Sequence, residues 1–287
     1  MWLKRRFIIG TVALGMSLAS TSAFTASPLA DNPFFAMCTG TKDATHDTPL
    51  SQVALVKGLG YSGTDLIGVS GLADLLQEID RQESRFFALY TGGNIDPGAT
   101  PWEGGLEEAM DMLTGRDAVL WMPLSSKVHK ASSPEGDEDA VALLRRLSHK
   151  AAGRGLRIAL YPHTGNWVER VEDAVRVAKK VDRPNVGVTF NLCHWLKVDG
   201  EDLPARLALA EPYLFMVTVN GADGDGTEWK QLIQPLGDGS YDVAPMLKIL
   251  AEMDYEGPIG LQGYGIGGDV EENLKRSMAA WQSLVNK

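Results

Sequence analysis

The chain has 287 residues, 44% hydrophobic and 22% charged, with a formal net charge of −10. That composition belongs to a globular protein and excludes disordered and fibrous classes. The acidity leaves no basic footprint for nucleic acid, so none is expected as a partner, and it counts against polyanionic ligands.

The first 30 residues read as an export signal peptide. Lys4-Arg5-Arg6 is a basic start, Phe7 to Ala19 an apolar run, and small residues then offer cleavage points after Ala23, Ala26 or Ala30. The apolar run is about 13 residues, short of the roughly 20 a spanning helix needs. A periplasmic or otherwise exported protein is expected, with no stable membrane insertion after cleavage. The remainder, residues 31–287, is the length of one large domain or two small ones.

From Asn32 onward, strand-like runs alternate with helical patterns. Phe34 to Cys38 is the first run, followed by a helix over Pro49 to Leu59. Gly60 to Asp65 and Arg85 to Tyr90 are strands, separated by a helix over Leu72 to Gln82. A helix near Leu106 to Thr114 precedes the strand Ala118 to Leu124, and another ends at Ala152. Arg157 to Tyr161 is the fifth strand. Val168 to Val181 is amphipathic, with Val171, Ala174, Val175 and Ala178 on one face. The strands Val186 to Phe190, Leu214 to Val219 and Pro258 to Leu261 follow. Between and after them come helices over Leu203 to Ala210, Val243 to Met253 and Val270 to Val285.

Eight strand–helix units without a linker-like break predict an α/β fold, a single (β/α)8 TIM barrel. A doubly wound open sheet would need a glycine-rich phosphate turn after an early strand, and none is in place. Cys38 and Cys193 are the only cysteines. No zinc-binding spacing occurs, and both are expected as free thiols.

Active sites of such barrels lie at the C-terminal ends of the strands. There the sequence places Cys38, Asp65, Tyr90 and Asn94, then Lys127 and His129, then Tyr161, His163, Asn166 and Trp167. Asn191, His194, Asn220, Gln262 and Tyr264 complete the set. Amides, imidazoles and aromatic faces are the groups that bind sugars.

The segments IALYPHTGNW, VGVTFNLCHWLKVDG, MVTVNGAD and PIGLQGYG, in that order, resemble the sugar phosphate isomerase/epimerase family of xylose isomerase-like barrels. The resemblance covers Asn32 to Lys287 and implies a small-molecule carbohydrate as ligand. Metal-dependent epimerases of that family hold a divalent cation with two Glu, an Asp and a His. Carried onto this chain, those positions are Tyr161, Asn191, Asn220 and Gln262, while His194 keeps the family's nearby histidine. Divalent cations of this kind rely on carboxylates for charge balance. No metal ligand is therefore assigned and no cofactor is expected. A cation held through His163, His194 and amide oxygens is disfavoured.

His163 and His194, which titrate near neutrality, are the expected proton-transfer residues. Lys127 is expected to polarise a carbonyl, and Asp43 or Asp65 to orient or abstract. Tyr161, Asn166, Trp167, Asn191, Asn220 and Gln262 are expected to bind substrate. The expected function is a sugar isomerase, epimerase or lyase acting next to a carbonyl. The alternative is a barrel that has lost its metal site and only binds carbohydrate.

Overall fold

The computed structural model describes residues 28–286. The expected signal sequence lies almost wholly outside the described residues.

Eight parallel strands close into one barrel. They are β1 Phe34–Ala36, β2 Gly63–Ile67, β3 Arg85–Tyr90, β4 Val119–Met122, β5 Arg157–Leu160, β6 Val186–Asn191, β7 Leu214–Val219 and β8 Ile259–Leu261. Phe34 pairs with Ile259 to shut the ring. Around it run the helices α1 Pro49–Gly58, α2 Leu72–Arg81, α3 Leu106–Met112, α4 Asp137–Ala152 and α5 Val171–Val181. They continue as α6 Leu192–Val198, α7 Leu203–Ala210, α8 Trp229–Leu232, α9 Ala244–Glu252 and α10 Val270–Val285. Among the described residues, none is long and apolar enough to cross a membrane.

Local chemistry sets the boundaries. Pro49 sits at the start of α1, where its missing N–H costs nothing, and Thr48 and Ser51 cap that end reciprocally. The α5 helix starts at Val171 rather than Val168, because Asp173 Oδ2 accepts the Arg170 amide at 3.0 Å. The short α6 helix was not among the expected elements. It begins directly after Asn191, so the strand end and His194 share one tight corner.

Apolar residues form two layers, as a closed parallel barrel requires. One lies between strands and helices. The other fills the lumen with Phe35, Met37, Phe87, Ala88, Val119, Trp121, Ala159, Tyr161 and Met216. Phe35 stacks on Phe87 at 4.6 Å between ring centroids. A Cβ on Gly260 would lie 2.7 Å from the Phe35 ring, so only glycine leaves room for this plug. The plug separates the two ends of the barrel, and the space bounded by residues at the C-terminal strand ends lies above it. Cys38 and Cys193 are both free.

At the N-terminal end, Pro28–Asp31 forms a turn packed against α9 and α10. Leu29 in that turn is fully buried. Asn32 then donates its amide to the Tyr255 and Gly257 carbonyls, each at 2.8 Å.

Candidate functional site

A cavity of about 430 Å³ opens at the C-terminal mouth, lined by Tyr90, Tyr161, His163, Thr164, His194, Trp229, Gln262 and Tyr264. Met37, Thr39, Ile67 and Ile233 supply the remaining wall. No Arg or Lys side chain lines it. A larger, more open cleft of about 680 Å³ lies at the opposite end of the barrel. Its Arg85 and Arg157 share Asp117, and Glu211, Asp254 and Glu256 add three further carboxylates to the lining, so acidic groups outnumber basic ones there.

The His163 and His194 rings lie 4.2 Å apart between centroids. Their backbone partners give them opposite roles. His163 Nδ1 is 2.9 Å from the Thr164 carbonyl oxygen, an acceptor only. The ring proton therefore sits on Nδ1, and Nε2 carries a free lone pair. His194 Nδ1 is 3.3 Å from the Thr164 backbone N–H, a donor only. Its Nδ1 is thus an acceptor and its proton sits on Nε2. The pair offers one proton acceptor and one N–H donor without either ring being charged. Both rings are held neutral. Burial lowers the pKa of His163, and burial together with the adjacent His163 pushes His194 down to about 3.

Tyr161 forms the floor. Its ring meets Tyr90, Trp121 and His194 edge-on. Burial above all, then the neighbouring Cys193, Tyr90 and Asp65, raise its pKa well beyond that of an ordinary phenol, and Gln262 partly opposes this. At neutral pH Tyr161 is a hydrogen-bond donor, not a base. Trp229, from α8, closes one side by meeting His194 edge-on at 5.3 Å.

The structure gathers Tyr161, His163, His194 and Gln262 around this cavity. It places the other sequence-derived candidates elsewhere. Lys127 is solvent-exposed, its backbone N–H bound by Asp96 at 2.9 Å. Trp167 is core, donating its indole N–H to the Ser133 carbonyl at 3.0 Å. Asn166 is half-buried and outside the lining. Asn191 and Asn220 lie buried beneath the mouth. Sequence reasoning missed Thr164, whose backbone N–H and hydroxyl both reach His194 Nδ1, at 3.3 and 3.2 Å. No side-chain pattern signals that role.

With this geometry established, comparison with known proteins gives the ancestry. Residues 105–284 match the model of the xylose isomerase-like TIM barrel. The chain belongs to that family. It is similar to a 3-dehydroshikimate dehydratase of Pseudomonas aeruginosa, 31% identical over 148 residues. That match covers 50% of this chain but only 23% of the relative. Solved structures with the same barrel superpose over most of the chain. A 3-keto-D-glucoside 4-epimerase from E. coli has a TM-score of 0.71 at 16% identity, covering 88% of this chain and 99% of that one. A D-allulose 3-epimerase from Methylomonas sp., in complex with D-allulose, gives 0.69 at 15%, covering 88% and 97%. An L-ribulose 3-epimerase gives 0.72 at 11%, covering 87% and 93%. At these identities the likeness establishes the fold.

Do the residues at the family's cation positions fit a cation? Asn191 donates to the Pro162 carbonyl at 2.9 Å, and its oxygen accepts from Thr218 Oγ1 at 3.2 Å. Asn220 donates to the Gly221 and Leu232 carbonyls. Gln262 Oε1 accepts from Thr39 Oγ1 and from the Tyr264 amide. Two of the three amide oxygens are thus engaged with protein donors, and the Tyr161 phenol keeps its proton. Among the described residues, no three His, Cys, Asp or Glu side chains converge to hold a metal. This donor set does not fit a divalent cation. Asn191 and Gln262 act as struts between different strand ends, while Asn220 ties down the segment that follows its own strand and keeps a buried oxygen without a partner. Treatment with EDTA is accordingly expected to leave the melting temperature and ligand response unchanged. Stoichiometric manganese, cobalt or zinc by elemental mass spectrometry would contradict this.

Proposed function

We propose that this protein is a sugar-modifying enzyme that moves a proton at a carbon next to a carbonyl, as isomerases, epimerases and some dehydratases do. The complementary histidine pair carries this reading. His163 Nε2, an unprotonated imidazole nitrogen, takes the proton from the carbon. The electron pair left behind moves onto the carbonyl oxygen. His194 Nε2–H and the Tyr161 hydroxyl donate to that oxygen as its charge grows. Neutral donors suffice, since what counts is that they are in place where charge develops. For an isomerisation, His163 then delivers the proton to the former carbonyl carbon, while the hydroxyl on the first carbon passes its proton to the enolate oxygen and becomes the new carbonyl. The aromatic walls from Tyr90, Trp229 and Tyr264 suit the C–H faces of a sugar ring. A lining without Arg or Lys does not compensate a carboxylate or phosphate group, whose burial unpaired is costly. An uncharged keto-sugar fits best.

Incubation with a panel of keto-sugars in D2O tests the reading. Deuterium entering next to the carbonyl, detected by NMR, is the expected result. Stabilisation by a sugar with no exchange and no turnover would instead favour a carbohydrate-binding barrel. The buried, scaffold-bonded amides are the observation that suits that rival.

Export belongs to the same proposal, and Leu29 sharpens it. Cutting after Ala30 would strip a fully buried leucine from the N-terminal turn. Losing such a side chain costs about 2–5 kcal/mol. The exported protein is therefore expected to begin at Phe24 or Ser27, from cleavage after Ala23 or Ala26. Intact mass of the secreted material checks this, and a start at Asp31 would refute it.

A further inference from the structure

Three carboxylates among the described residues are buried: Asp65, Asp137 and Asp173. Buried carboxylates are normally paired with a cation. Asp137 holds Arg176 and Lys180, at 3.1 and 2.6 Å, and Asp173 holds Arg176 at 2.6 Å. Asp65 has no cation. One of its oxygens accepts the Cys38 backbone N–H at 2.6 Å. The other, Oδ2, is buried with no hydrogen-bond partner.

The backbone is arranged to put this acid inside the barrel. Thr64 pairs with Phe86 and Leu66 with Leu89, so the register slips and Asp65 alone stands opposite Phe87 and Ala88. Those two residues belong to the lumen layer, whereas Phe86 and Leu89 belong to the outer one. Asp65, between Thr64 and Leu66 on the outer face, points into the lumen by the alternation of its own strand, and the extra residue of the slip lies on β3. It lies beneath the cavity wall: Cys38, which it holds, sits between the lining residues Met37 and Thr39.

The groups around it offer no countercharge. Cys38 faces it from the end of β1 with its thiol protonated, burial raising that pKa above all. Tyr161, from the end of β5, has its pKa raised first by burial, and of the neighbours that add to this Asp65 is the carboxylate, since Cys193 and Tyr90 are themselves kept protonated by burial. Beyond Tyr161 stand the neutral His163 and His194. In this setting burial raises Asp65 to about 6, with the Cys38 amide and thiol pulling the other way.

We propose that Asp65 is a positioning residue for Tyr161: its proton decides whether the cavity floor tolerates negative charge on a ligand oxygen. The proposal rests on the proton-transfer reading of the site. When Asp65 is ionised, its charge opposes an oxyanion held by Tyr161. When Asp65 is neutral, that repulsion is gone and the phenol donates unopposed. No bond to Asp65 forms or breaks beyond its own O–H.

The test uses the whole protein labelled with 13C at Asp Cγ and Tyr Cζ, titrated by NMR. Asp65→Asn and Tyr161→Phe provide the assignments. The Asp65 carboxyl is expected to titrate near pH 6. The Tyr161 resonance should move with the same midpoint and stop doing so in Asp65→Asn. In exchange assays, wild type should lose rate above that midpoint. Asp65→Asn should keep its rate across it, within about threefold of the wild-type maximum, because its amide oxygen still accepts from Cys38. An Asp65 that stays ionised below about pH 4.5, nearer the ordinary carboxylate range, overturns the proposal. So does a Tyr161 resonance indifferent to Asp65. A coupled Asp65–Tyr161 titration in a protein that exchanges no keto-sugar would sink the enzyme reading while leaving the coupling established.

Discussion

Replacing His163 with alanine is expected to cut the rate of proton exchange by about 10²–10⁴-fold, the range for losing a positioned general base. KM should change little, because the lone pair on Nε2 is used in the transition state rather than in holding the sugar. His194→Ala should cost about 10²–10³-fold, as for one lost oxyanion donor. The two variants should also differ in pH response. Because burial lowers the pKa of His163, its neutral form persists below the usual histidine range. The wild-type rate should therefore rise with pH through a midpoint below that of an ordinary histidine, about 6.5. His163→Ala should lose that acidic limb and His194→Ala should retain it. Exchange followed by NMR from pH 4 to pH 8 measures both. Wild-type rates in His163→Ala would rule out His163 as the base.

Much of this architecture was legible in the sequence. The alternation of short apolar runs with helical patterns gave the eight strands, because fully buried parallel strands must be continuously apolar. The resemblance then pointed to the substituted positions Tyr161, Asn191, Asn220 and Gln262. What these residues do was not legible. A strand-end asparagine suggests a hand reaching for a ligand, yet Asn191 and Asn220 spend their amide protons on carbonyls of adjacent loops. Those carbonyls belong to segments far away or irregular, which no periodicity describes. Lys127 looked catalytic by its place after a strand, but that loop turns outward around Asp96. Thr164 meets both histidines through its backbone and His194 through its hydroxyl as well, contacts that depend on a loop whose course no periodicity describes. Asp65 had a signal: it is the acid at the end of an early strand, on the parity that faces the lumen. That parity is the ordinary alternation along β2, and what only the fold reveals is that no partner reaches the second carboxylate oxygen.

The same residue gives the second large effect, on stability. Burial raises the carboxyl of Asp65 from the ordinary aspartate value of 3.8 to about 6 in the folded protein. The folded state thus holds this proton more tightly than the unfolded state. The stability it favours is fully present below pH 3.8, declines between there and about pH 6, and stays lost above. The shift of about two pH units corresponds to about 3 kcal/mol. Exposure does not discount it, because Asp65 is fully buried. Asn in its place cannot ionise, and its oxygen still accepts from Cys38. Its NH2 group would be buried where Oδ2 now lacks a partner, at a cost of about 1–3 kcal/mol that does not vary with pH. The pH dependence is therefore the clean observable. Between pH 4.5 and pH 8, Asp65→Asn should gain about 2 kcal/mol relative to wild type. For a domain of this size that moves the difference in Tm by about 4–8 °C. Thermal melts at the two pH values measure it. Parallel shifts in both proteins would mean that Asp65 is ionised at both, and that its charge is compensated by the Cys38 amide.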